Sequence, residues 1–120
     1  MTISRVVRCS LIQASNEIAF ELKGGASLED IKRAMVKKHV GLIRKAAADG
    51  AQVVCLQEIF YGPYFCAEQE TRWYETTEKV PGGPTVTLMQ ELAEELGVAL
   101  VVPVYEVEEE GVFYNTAAVI

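Results

Sequence analysis

Ala51-Gln52-Val53-Val54-Cys55-Leu56-Gln57-Glu58 is the stretch on which the reading of this chain turns. Residues 53–56 are apolar without alternation, the pattern of a short strand covered on both faces. Such a strand needs neighbours in a layered sheet, and runs of similar character stand on either side of it. Upstream, residues 5–13 carry Val6, Val7, Cys9, Leu11 and Ile12 and read as a first strand. Downstream, residues 98–104 form another β-branched run, followed by a polar hairpin over 106–111 and a returning strand over 112–120.

Two helices separate these strands. Ser27 caps the first, with Asp30 three residues on, and Leu28, Ile31, Met35, Leu42, Ile43 and Ala46 make one apolar stripe that Gly50 brings to a stop. The turn Pro81-Gly82-Gly83-Pro84 delivers a proline to the first turn of the second, whose buried face is Leu88, Met89, Leu92, Ala93 and Leu96 and which ends at Gly97. A short helix is expected over 68–74. Strand and helix alternate, so the chain is α/β with parallel neighbours in its sheet.

Composition bounds the function. The chain has 120 residues, half of them apolar and 23% charged, which suits one globular domain over 1–120. Residue 120 still lies within an apolar strand without a following turn, so this domain reads as cut short at its C-terminal side, the opening portion of something longer. No apolar run reaches the ~20 residues of a membrane span, and residues 1–8 lack the apolar stretch of a secretory signal. Three cysteines, an odd number, fit a reducing cytoplasm. One histidine and no CxxC pair leave no usual zinc set, so no metal is expected. The net charge of −6 argues against nucleic acid. Residues 1–60 nevertheless hold nine Lys/Arg against six Asp/Glu, and residues 61–120 hold two against eleven. The basic excess collects on the first helix at Lys32, Arg33, Lys37, Lys38, Arg44 and Lys45, where a solvated face is the simplest account.

Glu58 is the residue with most chemical interest. It follows the C-terminal end of the apolar strand, the edge where open α/β sheets place their ligands. Phe60, Tyr61, Tyr64 and Phe65 come next and could wall a water-poor pocket that raises the carboxyl toward the range of a general base. A solvated strand-end glutamate beside core aromatics has the same spacing. Cys66 sits among Glu68 and Glu70, surroundings that raise a thiol and disfavour a nucleophile. His39 falls in the apolar stripe and reads as a hydrogen-bonded core residue. A binding or assembly module using the first helix remains an alternative to an enzyme.

Three stretches resemble the nitrilase superfamily of carbon–nitrogen hydrolases. Val53-Val54-Cys55-Leu56-Gln57-Glu58 is similar to the strand ending in the family's general-base glutamate. Gly83-Pro84-Thr85 through Gly97-Val98 is similar to its helix and following strand, and Tyr114-Asn115-Thr116-Ala117-Ala118-Val119-Ile120 to its Asn-Ser/Thr strand; Gln13 also matches. The aromatic loop through Cys66 resembles the N-carbamoyl amide branch of β-ureidopropionase and N-carbamoylputrescine amidohydrolase. The resemblance implies the N-terminal part of a four-layer α-β-β-α sandwich and a Glu-Lys-Cys triad, of which Glu58 is carried here. The lysine and cysteine lie downstream of the Asn-Thr strand in the family, and neither Lys79 nor Cys66 stands there. It further implies a small-molecule amide substrate, no cofactor and homo-oligomers, with Tyr61, Tyr64 and Phe65 lining the substrate pocket and Asn115 orienting the catalytic groups. These 120 residues are expected to be inactive by themselves.

Overall fold

The computed structural model of the chain describes residues 5–17 and 25–120. Four strands, β1 (Cys9–Ile12), β2 (Val53–Leu56), β3 (Ala99–Glu109) and β4 (Val112–Val119), lie in that order in one sheet. The first three are parallel, and β4 returns antiparallel on β3. Parallel neighbours require crossovers, which are α1 (Leu28–Ala48) between β1 and β2, and α2 (Pro84–Leu96) between β2 and β3. The α/β class expected from the sequence is the one found.

β1 is shorter than the expected 5–13 for a physical reason. Its partner β2 runs out at Leu56, and beyond it the Gln57 side chain takes over the ladder. Its Oε1 accepts from Ala14 N–H at 2.5 Å and its Nε2 donates to Ala14 O at 3.0 Å.

Ser27 caps α1 as expected, accepting from Asp30 N–H at 3.1 Å, and Gly50 takes φ +90° just past its end. Ile31, Met35, His39, Ile43 and Ala46 are the buried stripe of α1. α2 begins with Pro84 after Gly83 and closes on Gly97 at φ +63°, a left-handed stop natural for glycine. Its buried face is rotated from the expected one: Thr85 and Val86 are inside, while Leu88 is 39% exposed. The helix expected over 68–74 is a 3₁₀ turn, Thr71–Thr76, following a shorter one at Phe65–Ala67. None of the helices among the described residues is long and apolar enough to cross a membrane.

Both helices cover one face of the sheet. Val54 and Leu56 from β2 and Leu100, Val102 and Val104 from β3 point into that layer and are at most 3% exposed. The other face carries the alternate residues. Leu11, Cys55, Val101 and Val119 stand side by side across all four strands, with Leu11 83% and Val119 77% exposed.

Candidate active site

Glu58 follows β2 on a tight turn, in which Gly62 N–H donates to Ile59 O at 3.2 Å. Its side chain is exposed. Asn115, on β4, donates from Nδ2 to Glu58 Oε1 at 2.5 Å, bridging two elements 57 residues apart. A bond from a neutral amide to one carboxylate oxygen fixes the rotamer of both groups. Glu58 and Asn115 are therefore brought together by the sheet, since Asn115 pairs with Tyr105 on β3 and shares the helix-free face with it.

The aromatic residues do not form the wall expected around Glu58. Phe60 and Tyr61 turn into the helix-side core, at 0% and 1% exposure, and meet edge to face with centroids 5.5 Å apart. The Tyr61 hydroxyl accepts from Tyr105 N–H at 2.7 Å and donates to Tyr105 O at 3.4 Å. Burial pushes its ionisation well above the ordinary phenol range. Tyr61 and Phe65 share a void of only about 10 Å³, far below the ~300 Å³ of a ligand pocket. Phe65 stacks on Trp73 at 5.4 Å and leans on Tyr105 at 5.1 Å. Its other side, with Cys66, Trp73, Tyr74 and Tyr105, borders a surface hollow of about 290 Å³. Tyr64 is 68% exposed, and a hydrogen bond with Cys66 raises it, with Glu58 adding a smaller push the same way. Of the four aromatic residues expected to wall Glu58, the structure leaves Tyr64 near it, commits Phe60 and Tyr61 to the helix-side core and sets Phe65 against Trp73 and Tyr105, while Asn115 reaches Glu58 from β4. The burial of Glu58 itself is not supplied by the aromatic loop.

The physical reason for the difference lies at Ile59. This residue takes φ +46°, a left-handed conformation that is a genuine outlier for a β-branched side chain. The twist redirects the chain after Glu58, so Ile59, Phe60 and Tyr61 are all buried.

Glu78 is a buried carboxylate that the sequence reading passed over, 5% exposed. Its Oε2 accepts from Thr85 N–H at 2.8 Å and its Oε1 from the Thr85 hydroxyl at 2.7 Å, at the N-terminus of α2. Lys32 from α1 pairs with Oε1, and its ammonium lies over the Tyr61 ring, 4.7 Å from the centroid. Gly83 makes room for this cap: a Cβ there would lie 2.5 Å from Lys79 O and 2.9 Å from Glu78 Oε2. The available signal was the N-cap itself, a glycine with no side chain to offer the helix, so that an acceptor had to come from elsewhere.

His39 is fully buried, with Nδ1 2.9 Å from Met35 O and its ring against Phe60 at 4.9 Å. Burial lowers its pKa from the ordinary imidazole value, against the raising effects of Met35 O and nearby Gln57. It is a core residue, as its place in the apolar stripe suggested. No group of three His, Cys, Asp or Glu side chains suited to a metal occurs among the described residues.

The carbon-nitrogen hydrolase family model matches residues 26–120. The chain belongs to the carbon-nitrogen hydrolase family. It is 40% identical over 79 residues to N-carbamoylputrescine amidase of Solanum lycopersicum, covering 66% of this chain and 26% of that protein. It is 36% identical over 118 residues to β-ureidopropionase of Arabidopsis thaliana, covering 97% of this chain and 28% of that one. Saccharomyces cerevisiae Nit3, a member of branch 10 of the nitrilase superfamily, shares the fold with a TM-score of 0.59 at 22% identity, over 73% of this chain and 34% of that one. This chain spans little more than a quarter of the length of these two curated relatives.

Proposed function

We propose that the complete protein is a cysteine-dependent amidohydrolase acting on an N-carbamoyl amine or amino acid, with Glu58 as its general base. The observation that carries this reading is the Asn115–Glu58 hydrogen bond, which holds a carboxylate at the C-terminal end of a central parallel strand. Similarity to an N-carbamoylputrescine amidase and a β-ureidopropionase supports the substrate class. In this chemistry Glu58 takes the proton of a cysteine thiol and the thiolate attacks the carbamoyl carbon. A lysine steadies the oxyanion as ammonia leaves. Water then attacks the acyl-enzyme, and the carbamate released falls to amine and carbon dioxide. The lysine and cysteine belong to the triad that the family resemblance implies, downstream of β4.

Glu58 stands at the rim of the helix-free face. A second sheet laid on that face, as in an α-β-β-α sandwich, would bury the row Leu11, Cys55, Val101, Val119 and dry the carboxylate together. Homo-oligomeric assembly and a small amide substrate are parts of the same reading. The test is Glu58→Gln in the full-length protein, assayed on N-carbamoylputrescine and N-carbamoyl-β-alanine. Turnover is expected to fall by about 10²–10⁴-fold with the fold retained, the range of a lost general base. A variant that turns over at the parent rate refutes the role.

A further inference from the structure

Tyr61 lies three residues beyond Glu58, on the far side of the left-handed Ile59. The ring is fixed from two sides, by the edge of Phe60 and by the Lys32 ammonium over its face, and the hydroxyl meets the backbone of Tyr105. That position is distinctive. β2 pairs with β3 over residues 99–101 and then ends, and further along an isolated bridge to Glu78 takes its place on that edge. At Tyr105 the N–H is taken by the Tyr61 hydroxyl, and the C=O accepts Glu78 N–H at 2.9 Å. Directly across the ladder from Tyr105 stands Asn115, which holds Glu58. Both ends of the short segment 58–61 are thus tied to the same rung: Glu58 through the Asn115 amide, and Tyr61 through the Tyr105 backbone.

We infer that Tyr61 is a positioning residue for Glu58. Its hydroxyl latches the turn to the β3–β4 rung and so presets the distance over which Asn115 grips the carboxylate. The inference rests on the reading of Glu58 as the base. A left-handed β-branched residue persists only where its surroundings over-determine it, and a latch at residue 61 together with the buried Ile59 and Phe60 side chains does that. Removing the hydroxyl leaves Tyr105 N–H without its acceptor and frees the turn to relax toward ordinary backbone, moving Glu58 relative to Asn115.

Tyr61→Phe in the full-length protein keeps the ring and deletes the latch alone. The expected result is a fall in kcat of about tenfold or more with KM little changed, and a displaced acidic limb of the kcat/KM profile. The Asn115 side-chain amide resonances should also shift in the ¹⁵N spectrum. Tyr64 lies near enough to Glu58 to feel its charge, so the profile is repeated with Tyr64→Phe to assign the limb. In an Asn115→Ala background the further change Tyr61→Phe should add little, because the two act through one carboxylate. Leu92→Ala, a core truncation in α2, serves as a destabilised control and should leave the acidic limb in place. A Tyr61→Phe enzyme with parental kcat, limb and Asn115 resonances overturns the latch while Glu58→Gln remains inactive. An active Glu58→Gln overturns the base reading instead.

Discussion

Removing the Lys32 charge tests how α1, α2 and β3 are locked together. Lys32 and Glu78 have side chains 15% and 3% exposed, and the carboxylate already accepts both the amide and the hydroxyl of Thr85. Breaking a buried pair by deleting one partner costs about 3–5 kcal/mol, because the remaining charge is left uncompensated. Here the loss is smaller, since Lys32 retains some access to water and Glu78 keeps the N-terminus of α2, whose partial positive charge contributes about 0.3–1 kcal/mol. Lys32→Met is therefore expected to cost about 2–3 kcal/mol. Glu78→Gln strands the ammonium and weakens the cap, for a cost of similar size. The double variant removes both charges together and should cost about 2–3 kcal/mol rather than the ~5 kcal/mol of independent losses. That leaves a coupling of about 2 kcal/mol. Equilibrium urea unfolding of the four proteins measures it: with an m-value of about 1–3 kcal/mol/M, each single variant moves the midpoint down by roughly 1–2 M. A coupling below about 0.5 kcal/mol, the worth of an exposed pair, would refute the argument that this ion pair is a buried clamp.

Other outcomes follow from the same geometry. Gly83→Ala forces a Cβ against Lys79 O and the Glu78 side chain, and is expected to cost about 1–3 kcal/mol, with faster amide exchange at Thr85 as its local signature. A milder loss with an unchanged Thr85 amide would mean that the cap tolerates the methyl group. Because burial lowers the pKa of His39, the unfolded chain binds the extra proton first as pH falls below about 6.5. The stability contributed by neutral His39 is thus present above 6.5 and is lost downward through the folded pKa, at up to about 1.4 kcal/mol per pH unit. His39→Leu should flatten that part of the stability profile, and an unaltered slope would assign it to other groups. Asn115→Ala should lower kcat by about tenfold through loss of a charge-assisted hydrogen bond; Asn115→Asp should lower it further and move the acidic limb upward, since two carboxylates in contact disfavour a second charge. Equal activity of the two variants would dismiss the orienting role.

The layered sheet and the place of Glu58 were legible because they depend on patterns that burial enforces. An unbroken apolar run such as 53–56 has few alternatives to a covered strand, and the caps at Ser27 and Gly97 are local chemistry that sequence displays directly. The direction of the aromatic loop was not legible. Counting side chains outward from Leu56 presumes ordinary backbone, and Ile59 is the residue type least suited to the conformation it adopts. Once that residue turns left-handed, Tyr61 faces the core and Tyr64 faces solvent, and no composition of the loop announces the exchange. Glu78 was hidden differently. In sequence it resembles Glu68, Glu70 and Glu75; the glycine N-cap of α2 shows only that an acceptor is needed, and the approach of Lys32, 46 positions earlier, and of Thr85 separates this buried carboxylate from the solvated ones.

The two carboxylates mark the two sides of the sheet. Glu78 is on the helix side, fully paired, and its work is finished by folding: every acceptor it offers is occupied by Thr85 or Lys32. Glu58 is on the open side, held by one amide on one oxygen, with its side chain exposed. A general base needs that second condition, an oriented carboxylate with an acceptor still free. It also needs water kept away, and the neighbouring apolar row of Leu11, Cys55, Val101 and Val119 attracts a covering surface for hydrophobic reasons alone. A surface laid over that row and continued along β4 to Asn115 would reach Glu58. On the proposed reading of Glu58 as a base, the hydrophobic force that would cover this row is also the force that would exclude water from the carboxylate, so burial of the sheet face and activation of the site would come together.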